Sequence, residues 1–298
     1  MDFLLRVSMY PMEGEKTASH DWRSCVGGCA ANVAIALSLL GSDSTLVSWV
    51  GSDTAAGELG AGIQFAHLSS AVASVHGATT RRVFIVVSAA SGERTAFLLN
   101  GDNPKHLTES QRKAIAASSF VYFDGSWPEV FPCVREICDS RSIPMSCNLD
   151  VNSQSSIGMF GSAEVGVASA SACLAEETPD MRRAEDWLLS NWNVRRKLLV
   201  LTAGSRGSWA FDGDRMQHVH PPLVRIVDTT GAGDAYHAGI VYGVLANWPV
   251  TETIELATSL GALQCSHLGS NLGCLGEDRV REGIGNTMRR TETRDQPQ

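Results

Sequence analysis

Val227-Asp228-Thr229-Thr230-Gly231-Ala232-Gly233-Asp234-Ala235-Tyr236-His237-Ala238-Gly239 is the stretch that decides how this chain is read. Its apolar lead-in (Leu223, Val224, Ile226, Val227) predicts a strand, its centre a Thr/Gly turn, and Ala235 to Leu245 a helix. Gly231 and Gly233 carry no side chain, so a ligand can come close to the backbone there. A helix starting at Gly233-Asp234 aims unpaired N–H groups and the positive end of its dipole at that ligand. The result is an anion site made of main chain. Asp234 adds a carboxylate at the mouth of the turn, where bound phosphate would repel it. Such a charge needs a task, and taking a proton from an attacking hydroxyl is one. An Asp that merely caps a helix after a glycine loop would read the same on these residues alone.

The whole string from Asp228 to Asp234, followed by a helix of small residues, resembles the C-terminal signature of the ribokinase (PfkB) family of sugar kinases. The resemblance implies Asp234 as catalytic base and the Gly231, Ala232 and Gly233 backbone as the hold on the transferring phosphoryl group. Val26-Gly27-Gly28-Cys29-Ala30-Ala31-Asn32 resembles the N-terminal signature, in which Gly27, Gly28 and Asn32 would hold the sugar. Asn32 both donates and accepts hydrogen bonds, which suits hydroxyls; two glycines before a helix serve helix–sheet packing equally well. Asp2, nine residues before Pro11, matches the family's Asp on the sugar hydroxyls. Val200 to Trp209 resembles the nucleotide edge, which implies Thr202, Gly204 and Gly207 along ATP, with Asn148 near the phosphates. Mg2+ is implied as well, and K+ at Asp228 and Thr230 with help from Gln264 to Gly269. Hydrogen bonds that shape the turn are an equal reading of those last residues.

The chain departs from the family in two places. Asp150 stands where fructokinase-like and ketodeoxygluconate kinases have an Arg two residues after the Asn. Ala168-Ser-Ala-Ser-Ala172 replaces an Asn-x-x-Glu that helps organise Mg2+, with Glu176 and Glu177 a few residues on. Mg2+ is therefore expected to rest mainly on phosphates and water.

Composition agrees with a small-molecule enzyme. The 298 residues carry a net charge of −8 and no Lys/Arg run, which argues against nucleic acid and acidic membrane as partners. Eight scattered cysteines read as reduced core thiols, since no pair has a zinc-spaced companion. No apolar run is long enough to span a bilayer and no signal peptide opens the chain, so the cytoplasm is expected. A Walker loop, a His-Glu-x-x-His and a Gly-x-Ser-x-Gly are all lacking.

Strands are expected over 2–10, 17–24, 45–50, 72–75, 82–88 and 94–99, then over 119–123, 145–149, 165–168 and 198–202. Helices are expected over 30–40, up to about 66, and near 108–117, 129–141, 179–192 and 252–267. The alternation from Thr108 onward means a parallel sheet with helices on both faces, a three-layer α/β fold. The early strands, within 2–24 and 78–100, make a small β-sheet lid, and the whole of 1–298 is read as a single kinase domain. The stretch from Val151 to Glu164 is expected as a loop, and residues beyond Asn286 are expected to fray. Asp2 should close a central strand for which Met1 leaves no room, so further residues upstream are expected.

The function expected is ATP-dependent phosphorylation of a sugar hydroxyl, with a homodimer formed through the lid sheet. A nucleoside kinase is the first rival, with a base slot built from Phe84, Phe97 and Trp22. A non-catalytic sugar sensor on the same fold is the second.

Overall fold

The computed structural model describes residues 1–275 apart from 20, 66, 67, 100, 103, 151, 152 and 175–179. The chain divides into two units, the first holding Met1–Asn103, Pro222–Ala238 and the chain from Ser259, the second Pro104–Pro221 and Gly239–Thr258.

The first unit begins β1 (Asp2–Val7), β2 (Asp21–Cys25), α1 (Cys29–Leu39), β3 (Thr45–Val50), α2 (Thr54–Phe65), β4 (Ser69–Ser74), β5 (Arg82–Ser88) and β6 (Arg94–Leu99). The Ala- and Leu-rich run of α1 has no β-branched or polar interruption strong enough to break it, and Ala31 to Leu37 are all buried. Gly41, at φ +85°, ends the helix. Its N–H donates to Ser38 (2.9 Å) and that of Ser42 to Leu37 (3.0 Å), the paired bonds of a Schellman stop. With α2, this helix packs on the parallel pair β3–β4 around Ile35, Leu46, Leu59 and Ile63.

The remaining strands form a separate four-stranded sheet in the order β2-β1-β5-β6. Side chains alternate between its faces, so register sorts them. Asp2 pairs with Cys25 and Val83, which puts Leu4, Ile85 and Val87 on its side. Phe3, Phe84 and Phe97 lie in one row on the opposite face, as does Trp22 opposite Leu5. Leu4, Ile85 and Val87 are buried with Leu268, whereas Trp22 is 66% and Phe97 56% exposed.

The second unit continues α3 (Glu109–Ala116), β7 (Val121–Phe123), α4 (Phe131–Arg141), β8 (Met145–Leu149), α5 (Gln154–Ser162), β9 (Val165–Ser169), α6 (Ala170–Leu174), α7 (Met181–Asn191), β10 (Leu198–Thr202), β11 (Ser208–Phe211) and β12 (Met216–Val219). Its sheet runs β12-β11-β10-β9-β8-β7, parallel from β7 to β10 and antiparallel beyond. Helices α8 (Ala232–Leu245) and α9 (Val250–Gln264) follow. Leu149, Leu201 and Trp209 share a face and pack against Phe160 of α5 and Leu188 of α7. Ser208 points to the other face, within 3.5 Å of the Thr258 hydroxyl of α9, so helices cover both. A Cβ on Gly239 would lie 2.5 Å from the Ala257 Cα, and one on Gly243 2.4 Å from the Thr253 hydroxyl. Gly239 thus lets α8 approach the α9 backbone, and Gly243 makes room for the Thr253 side chain.

Four expectations are corrected. The described part of 151–164 holds α5 and is not a loop: Ser153 caps it, accepting from the Ser156 N–H at 3.2 Å, and Phe160 anchors it in the core. Leu223 to Ile226 form no strand; Leu223 is fully exposed, and only Val227 finds a backbone partner, Cys265, at 2.8 Å. α8 begins at Ala232, so Ala232, Gly233 and Asp234 all belong to its first turn. Asp2 opens β1, between β2 and β5, and does not close a central strand. Val151, Glu176, Glu177 and the residues beyond Asn286 lie outside the described residues.

Candidate active site

The Asp228 carboxylate, wholly buried, sets the signature turn. One oxygen accepts from the Thr230 N–H (2.9 Å) and hydroxyl (2.6 Å), the other from the Gly269 N–H (3.1 Å). Charge-assisted bonds of this kind are among the stronger ones in a protein. The hairpin tip between β5 and β6 bears on the same turn, since the Gly92 carbonyl accepts from the Thr229 N–H (3.0 Å) and hydroxyl (3.2 Å). Arg94 donates to the Thr229 hydroxyl at 3.2 Å.

The two glycines of the turn differ. Gly231 sits at φ +74°, and a Cβ there would lie 1.9 Å from the Ser270 carbonyl oxygen. Gly233 is exposed, with nothing within 4 Å of where a Cβ would be. Gly231 therefore shapes the backbone, while Gly233 leaves room beside it. The Ala232 N–H is already engaged, donating to Thr229 at 3.3 Å, and the Ala235 N–H donates to Gly231 at 2.9 Å. Asp234 follows, half-buried, at the positive end of the helix.

Asn32 reaches Asp234 from α1: its Nδ2 donates to the Asp234 Oδ2 at 2.7 Å. Asn32 is 5% exposed, and its Oδ1 is buried with no partner among the described residues. A buried amide oxygen left without a donor is expensive, and a ligand hydroxyl would satisfy it. Gly28 caps α1 at φ 102°, a conformation that favours glycine, and its carbonyl accepts from the Asn32 N–H at 2.9 Å. A Cβ on Gly27 would fall 2.0 Å from the Asp2 carboxyl carbon, so the carboxylate packs directly on the Gly27 backbone. Asp2 is 5% exposed, and burial pushes its carboxyl above the usual range against the pull of a Ser270 hydrogen bond.

Sequence reasoning named Gln264 to Gly269 but not Ser270 and Asn271, the last polar residues of the turn after α9. Ser270 touches both Asp2 and Gly231, and the Asn271 amide donates to the Val26 carbonyl at 2.7 Å, tying the two signatures together. Only the polar run Ser266 to Asn271 hinted at it. The K+ expectation meets oxygens already engaged, with an amide NH2 lying between the two carbonyls. Both Asp228 oxygens already accept protein hydrogens, and the Thr230 and Gly269 carbonyls accept from Gln264 Nε2 at 2.9 and 2.6 Å. As arranged, these residues do not fit a bound cation.

In the second unit, Asn148 and Thr202 lie at the carboxyl ends of parallel strands, where ligands gather in open α/β sheets. The Asn148 amide donates to the Asp150 carboxylate, and its Oδ1 is buried without a partner among the described residues. The Thr202 hydroxyl donates to the Ala168 carbonyl at 3.2 Å. Gly204 (φ +52°) has open space around it, whereas a Cβ on Gly207 (φ +85°) would meet the Val219 carbonyl at 1.9 Å. Among the described residues, no three His, Cys, Asp or Glu side chains are grouped to hold a metal. No helix among them is long and apolar enough to cross a membrane.

An aspartate in the first turn of a glycine-led helix, bonded to a buried amide from α1, makes up the candidate site on this mixed α/β scaffold. Residues 1–276 match the pfkB family carbohydrate kinases, and the chain belongs to that family. It is 24% identical over 281 residues to ribokinase of Lactococcus lactis subsp. lactis (strain IL1403), covering 92% of this chain and 90% of that one. It is also 24% identical over 273 residues to aminoimidazole riboside kinase of Salmonella typhimurium (strain LT2), covering 84% and 85%. Arabidopsis thaliana ribokinase complexed with ribose and ATP superposes with a TM-score of 0.77 at 18% identity, covering 95% of each chain. Escherichia coli phosphofructokinase-2 in complex with potassium does so at 0.76 and 19%, covering 96% of each. At such identities the structural likeness shows the fold: a ribokinase-like α/β architecture with a small separate sheet.

Proposed function

We propose that the chain transfers the γ-phosphoryl group of ATP to a hydroxyl of a sugar. The observation that carries this reading is the 2.7 Å bond between Asn32 and Asp234, which brings both signatures to one point. The Asn32 Oδ1, without a partner among the described residues, accepts from one substrate hydroxyl, and Asp2 accepts from others over Gly27 and Gly28. Asp234 takes the proton of the attacking hydroxyl as its oxygen bonds to the γ-phosphorus and the bond to the β-phosphate oxygen breaks, leaving ADP. The open backbone at Gly233, with Gly231 and Ala232 beside it, stabilises the charge on the phosphoryl oxygens. Asn148, Thr202 and Gly204 take the nucleotide role, with Gly207 holding the shape of their hairpin. Mg2+, when bound, would neutralise phosphate charge, held by phosphates and water. The four-stranded sheet, hydrogen-bonded to the turn through Gly92, serves as the lid that keeps water from the reacting group. Its Phe84, Phe97 and Trp22 face is offered to a second copy.

A nucleoside acceptor remains the second reading, favoured by likeness to a riboside kinase. Phe84, Phe97 and Trp22 do not provide its base slot, because register puts them on the face opposite Asp2. The Asp234 carboxylate beside the open backbone of Gly233 speaks against a non-catalytic sensor. Coupled ADP release across ketohexoses, aldopentoses, sugar acids and nucleosides separates the three. Turnover with a sugar supports the proposal, turnover with nucleosides alone supports the second reading, and sugar binding without ADP release supports the sensor.

A further inference from the structure

Gln264 closes α9 with its side chain wholly buried. Its amide nitrogen donates to the Thr230 carbonyl at 2.9 Å and the Gly269 carbonyl at 2.6 Å, while its Oε1 is buried without a partner among the described residues. The N–H groups of those same two residues, Thr230 and Gly269, both donate to Asp228. Two buried carbonyl oxygens thus converge on one point beside a buried carboxylate, and an amide NH2 fills that point. Two carbonyls at such distances need a positive partner between them, either a cation or polarised hydrogens. An NH2 group supplies two hydrogens and so satisfies both.

We infer that Gln264 takes the place of a monovalent cation, so that the turn carrying Gly231 to Asp234 is held without K+. The opposite amide orientation makes the alternative explicit. It would set Oε1 against the Thr230 and Gly269 oxygens, three acceptors together, which only a cation or an added hydrogen donor such as water could reconcile. The nitrogen-inward state repels K+, and the oxygen-inward state admits it. Gln264 acts through the backbone of Thr230 and Gly231 and is a positioning residue. Its effect on turnover rests on the reading of that turn as the phosphoryl hold; its effect on ion dependence does not.

The test compares thermal melting and ADP release of the full chain in KCl and in tetramethylammonium chloride at equal ionic strength, for the native sequence and Gln264→Ser. The native chain should melt at one temperature in both salts and turn over equally in both. Gln264→Ser bares the two carbonyls; it should melt lower in tetramethylammonium and lose on the order of tenfold or more in kcat. K+ should restore part of both losses in the variant. A native chain whose melting temperature rises saturably with K+ overturns the inference, because Gln264 would then be a ligand or yield to the ion. So would a Gln264→Ser variant that behaves as the native chain in tetramethylammonium. Should the variant fail to fold in either salt, the native pair of melts decides alone. A native chain indifferent to K+ but inactive on every acceptor would count against the kinase reading and leave Gln264's role standing.

Discussion

Replacing each glycine of the signature turn separates shape from chemistry. Alanine at Gly231 would have to hold φ near +74°, a left-handed backbone that costs an L-residue roughly 1–2 kcal/mol. Its methyl would also start 1.9 Å from the Ser270 carbonyl oxygen and 2.8 Å from the carbonyl carbon, so a backbone segment must move. The total should reach about 2–4 kcal/mol, which at roughly 1.6 °C per kcal/mol for a chain of 298 residues lowers the melting temperature by about 3–6 °C. A Cβ at Gly233 meets nothing within 4 Å, and the position needs no left-handed backbone. Helix propensity even favours valine over glycine by a few tenths of a kcal/mol, so melting should hold within about 1 °C. The branched side chain would instead fill the approach to the N-terminus of α8, where losing an anion-holding donor typically removes about 10²–10³ in rate. Calorimetric melts and coupled ADP release on the same preparations read both effects. The reasoning is refuted if Gly233→Val melts as low as Gly231→Ala, or if it melts normally and turns over normally.

Other perturbations read neighbouring groups. Asn32→Ala should raise the acceptor KM by about 1–3 kcal/mol of lost binding, roughly 5- to 150-fold, with ATP KM unchanged; a change in ATP KM alone would reverse the assigned ends of the site. Asp2→Asn should weaken acceptor binding yet raise the melting temperature at neutral pH. Burial holds the folded carboxyl above its unfolded value, so ionisation burdens the fold once pH rises through the folded value; a lower melting temperature would contradict this. His237, buried in α8, is held down to about 3 by burial, while its unfolded value is about 6.5. The unfolded chain therefore binds the extra proton below that value, and stability should fall by up to about 1.4 kcal/mol per pH unit from pH 6.5 toward 3. Denaturant midpoints for the native chain and His237→Gln should converge as pH falls, and parallel curves would exclude the assignment.

Much of this arrangement is legible from residues alone, for local reasons. β3, β5, β6, β8 and β10 have the bounds their apolar runs and polar flanks predict. Asn32 and Asp234, each singled out in its own signature, are hydrogen-bonded to one another, a contact that neither signature states. What escapes is information the side chains do not carry. Ser270 acts on Gly231 through its carbonyl, and a backbone carbonyl leaves no mark in a sequence. The separation of Phe84 and Phe97 from Asp2 is a matter of register, which appears only when strands are paired. Ser and Gly content hid α5, because capping by Ser153 and burial of Phe160 outweigh weak propensity. The apolar lead-in Leu223 to Ile226 misled for the opposite reason, having no neighbouring strand to pair with.

The central claim is that Asp234 accepts the proton of the attacking hydroxyl, and Asp234→Asn tests it most directly. The substitution keeps the shape of the side chain and removes its capacity as a base. With the best acceptor from the panel, saturating ATP and Mg2+, ADP release should fall by about 10²–10⁴-fold, and nucleotide binding measured by calorimetry should stay near the native value. An Asp234→Asn chain that turns over at a near-native rate would contradict the claim.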